Sequence, residues 1–103
     1  MRIKPGVDIN GLKPEILIAL MIAQSVYQDY GAELVLTCGV EADHSPKSLH
    51  YVGLAIDIGI SSLSRSSAVK ISSDLSAKLS DQFDIVLEND HIHIEFQPKE
   101  NIK

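Results

Sequence analysis

The chain has 103 residues, 45% of them hydrophobic and 22% charged, which excludes a disordered composition and sets the expectation of a single domain over 1–103 with a modest core. A formal net charge of −5 and the lack of a Lys/Arg cluster argue against a nucleic-acid partner. The single cysteine, Cys38, excludes an internal disulfide, and the longest apolar stretch, 16–23, is too short to span a bilayer.

Residues 1–10 lack the apolar run of a secretion signal, so synthesis in the cytoplasm without membrane insertion is expected. Residues 1–13 read as irregular. Pro14 suits the first position of a helix, and Glu15 suits the positive end of its dipole. Ile16, Leu20, Ala23 and Tyr27 then recur every three or four residues, which predicts a helix to Tyr30 with Gly31 as its stop. Residues 33–38 predict a strand, on which Cys38 reads as a small buried residue. Residues 39–52 are polar, rich in turn formers, and read as a loop.

Leu54 to Ile60 alternates: Leu54, Ile56, Ile58 and Ile60 take one face, and Ala55, Asp57 and Gly59 the other. Residues 66–80 predict a second helix, with Ala68, Ile71, Leu75 and Leu79 on one side and Asp74 and Lys78 as an i,i+4 pair. Residues 83–87 predict a strand, 88–90 a turn, and 91–96 a last strand. In that strand Ile92, Ile94 and Phe96 face one way, while His91, His93 and Glu95 face the other. If the apolar faces of both alternating strands lie against the helices, Asp57 and the histidines share the opposite face of one sheet.

Two histidines and one carboxylate, with a fourth position left for water, form the donor set of a catalytic zinc site. Asp57, His50 and either His91 or His93 supply that set. The odd separation of His50 from Asp57 would point them to opposite faces of a straight strand, and Gly53 permits the bend that corrects it. Such a site needs a base, and Asp90, Glu88 and Glu95 are all close in sequence to the histidines. Glu95 is also placed to orient a ligand histidine. His44 and Ser48 are candidates for substrate or ligand contacts.

The segment Ser48 to Asp57 matches S-x-H-x-x-G-x-A-x-D at every fixed position. It resembles the signature of the zinc D-Ala-D-Ala metallopeptidases, a family that includes vancomycin-resistance dipeptidases and phage L-alanyl-D-glutamate endopeptidases. The family's second motif, an acidic residue three positions before a histidine, is matched by Asp90 and His93; Glu88 and His91 have the same spacing. The resemblance runs from about Leu34 to Phe96. It implies an α+β fold, a small antiparallel sheet with two helices packed on one face and a zinc site on the other. It implies His50, Asp57 and His93 as ligands to Zn2+ and Asp90 as general base. The implied activity is hydrolysis of peptidoglycan stem peptides at L-Ala-D-Glu or D-Ala-containing bonds, in the manner of a carboxypeptidase-like phage endolysin. That role implies action in the periplasm or cell wall, a monomer, and a holin-type partner for delivery. The alternative is a zinc-binding module without turnover that acts through a protein or cell-wall partner. Many family members carry a substrate-binding arginine shortly after the strand that ends here at Cys38. This chain has Val40-Glu41 there, with Lys47 and Arg65 as candidate replacements.

Overall fold

The computed structural model describes residues 1–41, 49–50 and 52–98. Its elements are β1 (Arg2–Ile3), α1 (Pro14–Asp29), β2 (Val35–Cys38), β3 (Ala55–Gly59), α2 (Arg65–Lys78), β4 (Phe83–Leu87) and β5 (His91–Phe96).

Helix α1 begins at Pro14, whose missing N–H costs nothing in the first turn. It ends in a Schellman turn: Ala32 N–H donates to the Tyr27 carbonyl and Gly31 N–H to that of Gln28, with Gly31 at a φ of 66°. Its inner stripe buries Ile16, Ala19, Leu20, Ala23, Val26 and Tyr27. Helix α2 is capped by Ser64, whose Oγ accepts from Ser67 N–H at 3.1 Å. Asp74, expected to pair with Lys78, instead accepts the Tyr30 hydroxyl at 2.8 Å and so ties α2 to the end of α1. Helix α2 packs against β4 and α1, and α1 also reaches β5. None of the described helices is long and apolar enough to cross a membrane.

The five strands run in the order β1-β2-β3-β5-β4. All pairings are antiparallel except β1 with β2, which is parallel. The sheet is therefore mixed, and residues 2–3, read from the sequence as irregular, form its edge. The fold is α+β, as expected. Ile56, Ile58, Ile92 and Ile94 are fully buried and form one core with the inner side chains of both helices and with Leu34 and Leu36. The Tyr27 hydroxyl crosses that core to donate to the Gly59 carbonyl at 2.9 Å.

Between these isoleucines the chain turns its other residues to the opposite face. Strands β3 and β5 are direct neighbours, with Asp57 opposite His93, Gly59 opposite His91 and Ala55 opposite Glu95. The period-two pattern thus assembles one polar surface from two strands far apart in sequence.

Candidate metal centre

Asp57 is the hub of that surface. Its Oδ1 lies 2.9 Å from His93 Nδ1, 3.2 Å from His50 Nε2 and 3.7 Å from His91 Nε2. The second nitrogen of each ring is held from behind. His50 Nδ1 is 3.1 Å from the Gly39 carbonyl, His93 Nε2 is 2.8 Å from Glu95 Oε1, and His91 Nδ1 is 2.6 Å from Asp90 Oδ1. Each imidazole therefore faces an oxygen acceptor on both sides. A neutral imidazole carries one N–H. If that N–H serves the outer acceptor, the inner nitrogen turns a lone pair toward Asp57. A proton or a cation between the inner atoms resolves this opposition of lone pairs, and an outer acceptor behind each ring is how metal-binding histidines are oriented.

His50 is the buried member, with 3% of its side chain exposed. Its position depends on the turn that follows. Gly53 N–H donates to the His50 carbonyl and Leu54 N–H to that of Leu49, so the chain reverses and enters β3. Gly53 makes the reversal at a φ of 81°, and a Cβ there would stand 2.0 Å from the Gly11 carbonyl oxygen. Gly53 thus permits the bend that brings His50 and Asp57 together. The Gly39 carbonyl behind His50 is fixed in turn by Glu41, whose Oε1 accepts from the N–H groups of Gly39 and Asp8, both at 2.9 Å. Glu41 is thus part of this scaffold.

Burial pushes the Asp57 carboxyl up, but the hydrogen bonds from His50 and His93 and the nearby imidazoles outweigh it and hold it well below the usual carboxylate range. The bond to Asp57 lifts His93 to about 9; burial opposes that and Glu95 adds to it.

Cys38 stands beside two of these residues. Among the described residues, Cys38, His50 and Asp57 each offer a donor atom, and these atoms lie within 4.8 Å of one another, close enough to bind a metal ion. Strict alternation after the buried Leu34 and Leu36 would send Cys38 into the core. It does not go there, because β2 is bulged: Leu36 pairs with Ile58 while Cys38 pairs with Asp57, leaving Thr37 as an extra residue. The bulge turns Cys38 onto the face of Asp57, half-buried. Burial first, and then the Glu41 and Asp57 carboxylates, push its thiol up to about 12 against the pull of Lys4.

The other expected residues are distributed as follows. Asp90 is 89% exposed in the β4–β5 turn, bound to His91. With Asp57, Cys38 and His91 it lines a cavity of about 460 Å³, whose far wall carries Arg2 and Lys4. Glu88 is exposed, and its carbonyl accepts from Arg65 Nη1 at 3.0 Å, which fixes Arg65 at that turn. His44, Lys47 and Ser48 lie outside the described residues.

Comparison with protein-family models, with curated proteins and with solved structures finds no match to the chain in any of the three.

Proposed function

We propose that the protein is a zinc peptidase that hydrolyses peptidoglycan stem peptides at L-Ala-D-Glu or D-Ala-containing bonds, as a phage lysis enzyme of the D-Ala-D-Ala metallopeptidase type. The observation that carries the reading is the approach of His50 Nε2 and His93 Nδ1 to one oxygen of Asp57, at 3.2 and 2.9 Å. Two donors on one tetrahedral zinc, each at about 2.1 Å, stand roughly 3.4 Å apart. Opening each of the two contacts by a few tenths of an ångström therefore brings it to the spacing of two ligands on one ion. The donor chemistry also fits, since imidazole nitrogen and carboxylate oxygen are donors that zinc takes. Zinc held there would polarise a peptide carbonyl and ease deprotonation of water.

The chain's own residues supply the rest of the reaction. Gly39 and Glu95 fix the rings of His50 and His93 from behind, so that Nε2 of the first and Nδ1 of the second stay turned inward. Asp57 stays ionised because the imidazoles beside it outweigh its burial. Asp90, at the cavity wall, accepts the proton of the attacking water and returns it to the leaving amine. Its bond to His91 keeps the carboxylate at the cavity.

A second reading, a zinc-binding module without turnover that acts through a protein or cell-wall partner, is favoured by Cys38. A thiol within reach of His50 and Asp57 offers a further donor, and structural zinc sites are closed where catalytic ones keep a position open.

Incubation of the purified protein with Gram-negative peptidoglycan, followed by mass spectrometry of released fragments, separates the two. Under the peptidase reading new peptide termini form, vanish with chelator and return with zinc. Intact peptidoglycan beside a folded, zinc-loaded sample rejects it and leaves the binding module.

A further inference from the structure

The wall of the cavity facing the Asp57 cluster is built by β1. The Lys4 backbone N–H donates to the Leu36 carbonyl at 3.0 Å, which sets Lys4 beside the β2 bulge. Arg2 and Lys4, two residues apart, both line the cavity, as do Val35 and Thr37 on β2 and Asp57 on β3. Three adjacent strands thus present one continuous floor with cations at one end and metal donors at the other. The two cations differ. Arg2 Nε lies 3.7 Å from Glu33 Oε1, and both side chains are largely exposed. Among the described residues, no carboxylate lies within ion-pair distance of Lys4. In a chain of net charge −5, a lysine at a cavity wall with which none of the described carboxylates pairs has its charge available to a ligand. A divalent ion on Asp57 would offset the carboxylates of Asp57 and Asp90 that line the other end, so the charge that favours an anionic group lies at the Lys4 end.

We propose that Lys4 binds a carboxylate of the ligand, which makes the cavity a site for acidic peptides. The proposal rests on the peptidase reading only in taking the ligand to be a peptide. Two strand spacings, about 10 Å, separate β1 from β3 at the backbone. The lysine side chain spans part of that gap, so the recognised carboxylate falls within one or two residues of the group held at the Asp57 cluster. Arg2, engaged by Glu33, borders the site without closing it.

The test is an NMR titration of the full chain with N-acetyl-L-alanyl-D-glutamate and, separately, with its diamide. Both are run zinc-loaded and again with chelator. The acid is expected to shift the amides of Lys4, Thr37 and Cys38 and to bind about tenfold tighter than the diamide or better. Lys4→Ala should abolish that preference with the rest of the spectrum unchanged, and Lys4→Arg should keep it. Equal affinity for acid and diamide, or no binding of the acid, overturns the proposal. So does a preference that survives Lys4→Ala and disappears with chelator, because the carboxylate then sits on the metal. The peptidase reading fails separately: cleavage without acid preference rejects Lys4 alone, while Lys4-dependent binding without cleavage rejects the peptidase alone.

Discussion

Asp57 and His93 hold each other in charged forms, and the consequence for stability has a definite sign. Bonding to Asp57 lifts His93 from 6.5 to about 9, so its contribution is fully present below about pH 6.5 and is lost as the pH rises through about 9. Asp57 is depressed, so its contribution is present above its ordinary 3.8 and is lost only at much lower pH. The metal-free protein should therefore unfold at progressively lower temperature between pH 6.5 and 9, as followed by circular dichroism in chelator. His93→Gln should flatten that decline, and an unchanged slope would place the pair's coupling elsewhere. At this scale the sequence was legible where strand alternation is regular. Asp57, His91, His93 and Glu95 could be assigned to one face because neither β3 nor β5 breaks its period of two. Cys38 could not, because the extra residue at Thr37 reverses the face without leaving a Gly or Pro to mark it.

Among the elements, the turn between His50 and β3 has the least tolerance. Gly53→Ala would force a side chain into left-handed backbone and against the Gly11 carbonyl oxygen. A loss of about 2–3 kcal/mol or more in urea unfolding is expected, with metal affinity falling in parallel as His50 is displaced. A change below about 0.5 kcal/mol would mean that the turn adopts another path. The two helices, β4 and β5 were readable because each spans enough residues for its period to repeat and begins or ends at a recognisable signal: Pro14, Gly31, the Asn89-Asp90 turn. Strand β1 was not, since two residues contain no period. Its parallel pairing is set by β2, more than thirty residues away. The cations that line the cavity were missed with it, and Arg65, considered in their place, is held at the β4–β5 turn.

For the molecule as a whole, a bound ion would add to folding stability by mass action, because the donors come from separate loops and strands that meet only in the folded chain. Zinc at a hundred times its dissociation constant contributes about 2.7 kcal/mol, which for a domain of this size raises Tm by about 10–20 °C. Differential scanning calorimetry with zinc and then with excess chelator checks this, and an unmoved transition would exclude a metal site of useful affinity. The same connectivity gives the cavity two walls of different age and permanence. The β4–β5 hairpin closes over a three-residue loop, a local contact that favours early formation, whereas β1 must find β2 across a long stretch of chain and is kept there by only two residue pairs. Fluctuations that release β1 leave the β3–β5 pairing intact, so the wall bearing Lys4 is last to arrive in folding and first to leave. A ligand gripped at both ends would fasten this edge of the sheet, and part of its binding energy would go into holding the first residues of the chain in place.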